Sequence, residues 1–332
     1  MNTIKYTQSD RFIYNNEIKP YLPHRIFDAH AHLQIPRFHP DLEESLSLSK
    51  DPQLNTIDMP VLRQWWQTLF PDARIGGLVL GTPTKQCDMK GINQCLGQSV
   101  YEPDVRFSIL TGPQFSADEL EKQIIALKPH GFKPYMCFSQ LKNYNDSGIC
   151  DIIPESQIAL ADKYGLAITL HVAKPRGMAD SDNLNDIIRL VKEYPRCNFI
   201  LAHCGRCFIA PNMEDALKKL PVASNLWIDT SAVCDTGVFL YLLDRYDRTK
   251  LLFGTDLVMA AGFRGSYIRM GTSWEWITED KISKAGGMEI KATFAAYENL
   301  CAMLHAAKFC KLTEADRNNI FYNNAARLFK LS

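Results

Sequence analysis

The feature that most constrains this chain is a repeated alternation of short apolar segments with amphipathic ones. The apolar segments have the length of buried strands. Eight of them span residues 25–33, 74–82, 105–112, 131–138, 166–174, 198–205, 225–233 and 251–259. Helical patterns lie between most of them, for example SADELEKQIIALKPH, where Ser116 and Glu119 have capping-box spacing. Eight strands alternating with helices predict an α/β fold, a (β/α)8 TIM barrel.

The domain organisation follows from this alternation. We expect an N-terminal arm over residues 1–24 and one barrel domain over residues 25–332. Apolar residues make up 46% of the 332 residues, which suffices for one large core. Two connections are unusually long, residues 34–71 after the first strand and residues 260–288 after the eighth. In such a barrel both would rise from the carboxyl-terminal face, where active sites lie.

The charge balance argues against two classes of partner. Lys and Arg number 37, as do Asp and Glu, so the formal net charge is zero. A chain that binds nucleic acid or an anionic membrane through its overall electrostatic field would carry a large net positive charge. The sequence has no apolar run long enough to span a bilayer and no secretory signal near its start. We therefore expect a cytoplasmic protein, and a homo-oligomer is compatible with the sequence.

Polar residues interrupt several predicted strands near their carboxyl ends. His30 and His32 lie at i and i+2 in FDAHAHL, so their side chains point to the same face. His171, His203 and Asp256 lie late in the fifth, sixth and eighth runs. An isolated H-x-H pair would be interpreted as packed or surface histidines. Five such residues at the same ends of the strands instead predict a metal site, because neutral imidazole is the commonest protein metal ligand.

These residues also carry a family resemblance. H-x-H on strand one, His on strands five and six and Asp on strand eight resemble the amidohydrolase superfamily. The segments FDAHAHL, ILAHCGR, LLFGTDLVM and NIFYNNAARLFKL resemble its amidohydrolase-related branch, which includes aminocarboxymuconate semialdehyde decarboxylase. The resemblance runs from about Arg25 to Leu331. It is specific for the superfamily and much less specific for a substrate.

The resemblance implies roles for the five residues. His30, His32, His171 and Asp256 would hold one divalent metal ion, with zinc favoured and iron, cobalt or manganese compatible with the same ligands. The metal would lower the pKa of a bound water. His203 would act as general acid or base, and Asp256 would also accept a proton from the water.

Other residues near the predicted mouth are candidates for substrate binding. They are Lys133, Tyr135, Arg206, Arg264 and Trp274. Arginine suits bidentate contact with a carboxylate, which suggests a small anionic substrate. Some superfamily members use a carbamylated strand-four lysine to bridge two metals. Because Lys133 falls early in its predicted strand, we favour one metal, with an anion-binding or structural role for the lysine.

Three functions remain open from the sequence. The first is a metal-dependent hydrolase of a small amide, ester or lactone, acting through metal-activated water. The second is a non-oxidative decarboxylase of an aromatic or unsaturated carboxylic acid on the same scaffold. The third is a catalytically silent barrel that binds a ligand.

Cys204 and Cys207 have C-x-x-C spacing but no second pair, so we interpret them as buried thiols rather than a zinc or redox site.

Overall fold

Eight parallel strands form the centre of the molecule, in a computed structural model that describes residues 4–40, 56–257, 260–282 and 292–331. The strands are β1 (Arg25–Leu33), β2 (Arg74–Gly81), β3 (Val105–Thr111), β4 (Gly131–Pro134), β5 (Ala167–Leu170), β6 (Asn198–Leu201), β7 (Leu226–Asp229) and β8 (Leu251–Leu252). Their spatial order is their order in the chain, and each pairs in parallel with the next. This confirms the predicted (β/α)8 barrel.

The barrel closes where β1 meets the segment that follows β8. Ala31 forms a parallel bridge with Leu257. The backbone N–H of Asp256 donates to the carbonyl of His30 at 2.7 Å. Closure therefore brings the first predicted metal ligand and the last into register across the seam.

The later strands end earlier than the apolar runs predict. β8 covers only Leu251–Leu252, so Asp256 lies beyond the strand rather than within it. The chain leaves the extended conformation after β5, β6, β7 and β8, where Lys174, His203, Ala232 and Asp256 have positive φ values of 69°, 55°, 59° and 63°. Such conformations cost non-glycine residues on the order of 1–2 kcal/mol each, and they cluster at functional sites.

Helices surround the strands. They are α1 (Gln8–Ile13), α2 (Met59–Leu69), α3 (Met89–Ser99), α4 (Ala117–Leu127), α5 (Ile149–Ile152), α6 (Glu155–Tyr164), α7 (Ser181–Glu193), α8 (Ala210–Leu217), α9 (Thr236–Arg245), α10 (Glu279–Ile282), α11 (Ala295–Phe309), α12 (Glu314–Asn318) and α13 (Asn324–Phe329). The capping box of Ser116 and Glu119 starts α4, as predicted. None of the described helices is long and apolar enough to cross a membrane.

The two long connections contain secondary structure of their own. The first includes α2, and its residues 41–55 lie outside the described residues. The second contains a hairpin of β9 (Arg264–Met270) and β10 (Ser273–Thr278), which the sequence analysis did not predict. A short strand, β11 (Thr293–Phe294), pairs with β9. Residues 283–288 of the second connection lie outside the described residues.

Candidate metal centre

The two histidines of β1 are oriented by hydrogen bonds at their Nδ1 atoms. His30 Nδ1 lies 2.8 Å from Oδ2 of Asp229, and His32 Nδ1 lies 3.1 Å from the carbonyl oxygen of Gly81. Their Nε2 atoms lie 3.6 Å and 3.4 Å from Oδ1 of Asp256. Contacts of this kind behind metal-binding histidines fix the tautomer and the ring orientation. The prediction that both side chains face one place is therefore matched by their geometry.

Asp256 is buried opposite these rings. Burial disfavours its charged form, but His203, a hydrogen bond from His32 and the other nearby histidines outweigh burial and lower the pKa of Asp256 to about 2. The carboxylate is therefore ionised at neutral pH. An ionised carboxylate beside imidazole side chains is a donor set that suits a divalent cation.

His203 lies in an unusual turn directly after β6. His203, Cys204, Gly205 and Arg206 all have positive φ values, of 55°, 52°, 62° and 58°. Four such residues in succession form a turn of left-handed helix, which L-amino acids disfavour. Both ends of the turn, His203 and Arg206, line the central cavity.

Among the described residues, one cluster of three side chains could hold a metal ion. Donor atoms of His30, His203 and Asp256 all lie within 4.8 Å of one another, and all three residues are buried. His171 lies beside them, with its ring centroid 5.1 Å from that of His203. The sequence analysis assigned His171 to the metal and His203 to proton transfer, and that division of roles stays a prediction.

These residues fit a divalent metal ion. Nδ1 of His171 is buried and has no hydrogen-bond partner in the described part of the chain. A buried polar atom without a partner is costly, and a bound ligand would relieve that cost. With the Nδ1 atoms of His30 and His32 already used, their Nε2 atoms and the carboxylate of Asp256 form a compact donor group. A buried cluster of two histidines and one aspartate is therefore available to one divalent ion.

Lys133 lies much closer to this centre than the sequence analysis expected. It is the third residue of the four-residue strand β4 and is fully buried. Its Nζ lies 3.1 Å from Nε2 of His30. Burial lowers the pKa of Lys133 to about 8, although Asp256 and Asp229 act in the opposite direction. The expectation that the residue falls too early in its strand was wrong, because β4 is so short that its third residue already reaches the site.

A cavity of about 300 Å³ opens above these residues. Four of the five predicted substrate-binding residues line it: Lys133, Tyr135, Arg206 and Trp274. The ring of Tyr135 packs 4.4 Å from that of His171, centroid to centroid. The structure therefore brings these four candidates to the site.

Arg206 lines the cavity and has one guanidinium nitrogen without a hydrogen-bond partner among the described residues. One guanidinium nitrogen donates to the carbonyl of Val172 at 2.9 Å. Its Nε is buried without a hydrogen-bond partner, and no described carboxylate pairs with this side chain. Arg206 is half-buried, and a buried guanidinium nitrogen without an acceptor is costly unless a ligand supplies one.

Arg264, the fifth predicted substrate residue, is placed elsewhere. Its Nη1 donates to Oδ2 of Asp10 at 2.6 Å, and its Nε donates to Glu279 at 3.4 Å. It is not among the residues that line the cavity. It starts β9 at the base of the hairpin, where its side chain meets the N-terminal arm. The expected substrate contact is therefore replaced by a structural one.

Aromatic side chains form the outer wall of the cavity. Trp274 on β10 packs against Phe208 at 4.8 Å between ring centroids and stacks on Tyr267 at 6.1 Å. Phe208 in turn stacks on His203 at 6.3 Å. This wall extends from the hairpin to the proposed proton-transfer residue and suits a flat apolar substrate group.

Two further residues were missed by the sequence analysis. Asp229 ends β7, and Ser231 follows it two residues later. Asp229 is fully buried and contacts both His30 and His203. It interrupts the seventh apolar run just as Asp256 interrupts the eighth, so the same signal could have identified it.

Cys204 and Cys207 are free and buried, as predicted. Burial raises the pKa of Cys204 well above its usual range and that of Cys207 to about 12. Neither thiol therefore ionises at neutral pH, which disfavours redox or metal-ligand chemistry.

Comparisons with known proteins agree with this architecture. The amidohydrolase family model matches residues 116–331. Curated proteins give no match to this chain. Three solved structures share its fold at low identity. The first is amidohydrolase 2 from Bifidobacterium longum subsp. infantis, with 16% identity, a TM-score of 0.54, and coverage of 93% of this chain and 100% of the other.

The second is a probable 2-pyrone-4,6-dicarboxylic acid hydrolase from Acinetobacter baumannii with citric acid bound, with 14% identity, a TM-score of 0.57, and coverage of 92% and 99%. The third is 2,6-dihydroxybenzoate decarboxylase from Rhizobium, with 18% identity, a TM-score of 0.56, and coverage of 93% and 99%. These likenesses show the fold, and the family match covers more than half of the chain. The chain therefore belongs to the amidohydrolase family and is an enzyme of the amidohydrolase superfamily.

Proposed function

We propose that the protein is a metal-dependent hydrolase that acts on a small ester, lactone or amide carrying a carboxylate. The observation that carries this proposal is one cavity in which a buried group of potential metal donors adjoins a half-buried arginine, whose Nε is buried without a hydrogen-bond partner and which pairs with no described carboxylate. The donors supply a place for hydrolytic chemistry, and the arginine supplies a place for an anion.

His30, His32, His171 and Asp256 would hold one divalent ion, for which zinc is our choice. When bound, the ion would lower the pKa of a water molecule and polarise a substrate carbonyl. His203, buried beside them, would remove a proton at the attacked position and return it to the leaving group. Burial lowers the pKa of His203, so its imidazole is neutral at pH 7 and able to accept that proton.

Arg206 would bind the substrate carboxylate. Its guanidinium reaches the cavity from the left-handed turn that also carries His203, so carboxylate and reacting carbon would lie near one another. The wall of Phe208 and Trp274 would cover the apolar part of the substrate. The cavity of about 300 Å³ suits a small molecule rather than a polymer.

The same aromatic wall favours a second candidate, the decarboxylation of an aromatic acid. In that reaction His203 would deliver a proton to a ring carbon rather than remove one from water.

One activity assay with a set of substrates separates the two candidate functions. Purified protein loaded with zinc is incubated with lactones, esters and amides that carry a carboxylate and with hydroxylated benzoic acids, and acid release and carbon dioxide release are measured.

The hydrolase proposal predicts acid release that requires metal and falls on the order of a hundredfold or more in His203→Gln. Carbon dioxide release with no acid release would transfer the assignment to the decarboxylase. Protein that binds no zinc and turns over neither class would refute both and support a ligand-binding barrel. Arg206→Met is the matched test of the anion site, since it should raise KM for carboxylate substrates and spare their uncharged analogues.

A further inference from the structure

A buried hydrogen-bond network connects the two histidines at the centre of the site. Asp229, at the end of β7, accepts at both of its carboxylate oxygens. Oδ2 lies 2.8 Å from Nδ1 of His30, and Oδ1 accepts the backbone N–H of His203 at 2.9 Å. Oδ1 also accepts the N–H of Ser231 at 3.0 Å and its hydroxyl at 2.5 Å.

Ser231 connects this carboxylate to the ring of His203. Its Oγ lies 2.9 Å from Nδ1 of His203. We propose that Asp229 and Ser231 are positioning residues that hold His30 and His203 in the Nδ1–H tautomer, so that the Nε2 atom of each ring faces the site without a proton.

The tautomer of His203 follows from counting hydrogens. A serine hydroxyl has one hydrogen and two lone pairs. The 2.5 Å contact places that hydrogen on the bond to Oδ1 of Asp229, because a carboxylate oxygen accepts. Ser231 Oγ can then only accept from His203. Nδ1 of His203 therefore carries the ring hydrogen, and Nε2 holds a lone pair.

The tautomer of His30 is fixed from both sides. Lys133 Nζ lies 3.1 Å from Nε2 of His30, and a lysine ammonium group has hydrogens to donate but no acceptor. Nε2 must accept, so the ring hydrogen lies on Nδ1 and is donated to Oδ2 of Asp229. A ring that accepts at one nitrogen and donates at the other is a neutral imidazole, so these two contacts select one of its two tautomers.

The consequence for the reaction rests on the proposed function. A neutral His203 whose cavity-facing nitrogen has no proton begins the cycle as a base. That order suits hydrolysis, in which a proton is first removed from water, and disfavours a cycle that opens with proton delivery to a substrate carbon. Once His203 is protonated, its Nδ1–H would still bond to Ser231, and the Asp229 carboxylate behind the hydroxyl would stabilise the imidazolium.

The test is nitrogen NMR of isotope-labelled histidine side chains, which distinguishes the tautomers directly and needs no substrate. It is performed on the full chain, as purified and after addition of zinc, and the His203 signals are assigned by their loss in His203→Gln. We expect wild-type His203 and His30 as Nδ1–H forms. In Ser231→Ala, His203 should shift toward the Nε2–H form, with the Nδ1–H population falling by at least half.

The matched control is Ser108→Ala. Ser108 is also a fully buried barrel serine, but its Oγ has no hydrogen-bond partner in the described chain, so this change should leave both tautomers unchanged. Wild-type His203 as Nε2–H, or a Ser231→Ala spectrum identical to wild type, would overturn the inference and leave the hydrolase proposal standing. A correct tautomer with no hydrolytic turnover would overturn the hydrolase proposal and leave the network standing.

Discussion

Replacing Arg264 with methionine tests whether this arginine serves the site or the fold. The Arg264 side chain is 10% exposed and that of its partner Asp10 is fully buried. Methionine keeps an apolar stem but leaves Asp10 without its cation. Removal of one partner of a buried ion pair costs about 3–5 kcal/mol. Asp10 keeps hydrogen bonds from Thr7 and Thr293, so we expect the lower end, about 3 kcal/mol.

This loss converts into a measurable shift of the melting temperature. An unfolding entropy of about 2.1 cal/mol/K per residue corresponds to roughly 0.7 kcal/mol/K for a chain of this length. A loss of about 3 kcal/mol therefore lowers Tm by about 4 °C. Calorimetry and urea unfolding would measure the change. In a double-mutant cycle with Asp10→Asn, we expect the two changes to be strongly non-additive, because the pair is in direct contact.

Arg206→Met provides the chemically matched comparison. It removes the same group from a side chain with no carboxylate partner in the described chain, so we expect little loss of stability. We expect it to abolish the thermal stabilisation that small carboxylates give to the wild type, which Arg264→Met should retain. An Arg264→Met protein with wild-type Tm and no response to carboxylates would refute the structural role and restore the substrate contact.

Three further outcomes are expected. His171→Ala should abolish retention of zinc after dialysis, measured by elemental analysis, whereas stoichiometric zinc in the variant would remove His171 from the ligand set. Burial raises the pKa of Glu298 to about 7, so the folded protein favours the protonated form of this side chain. Its contribution to the free energy of unfolding is fully present below about pH 4.5 and is lost as the pH rises through about 7. Glu298→Gln should remove this loss, on the order of 2 kcal/mol in urea titrations at pH 5 and 8, and parallel pH profiles would contradict it. Trp274→Ala should weaken the binding of aromatic ligands but not that of aliphatic ligands in thermal-shift titrations. The Tm of the ligand-free variant should be unchanged, because Trp274 is 38% exposed.

The barrel and most of its site could be predicted because their signals are local. A run of apolar residues of strand length indicates a buried strand wherever it lies in the chain. A histidine or aspartate near the end of such a run is conspicuous for the same reason. His30, His171, His203 and Asp256 all gave this signal, and the barrel's strand order brings their strand ends to one face.

The errors arose where the strand ends could not be placed from pattern. Lys133 was expected to fall too early in its strand to reach a metal, because β4 was predicted longer than it is. The hairpin of β9 and β10 was missed because its exposed aromatic and charged residues lack the alternation of a half-buried strand. Arg264 was taken for a substrate residue because its partner, Asp10, lies 254 residues away in the chain.

The sequence by itself determined a metal-binding type of barrel, since alternation and strand-end polar residues are properties of single segments. Only the tertiary structure decided how those residues are held. Asp229 lies 199 residues from His30, and no periodicity connects a carboxylate on the seventh strand to an imidazole on the first. Barrel closure brings them within hydrogen-bond distance, and it is this contact, with that of Ser231, that selects which nitrogen of each ring faces the site.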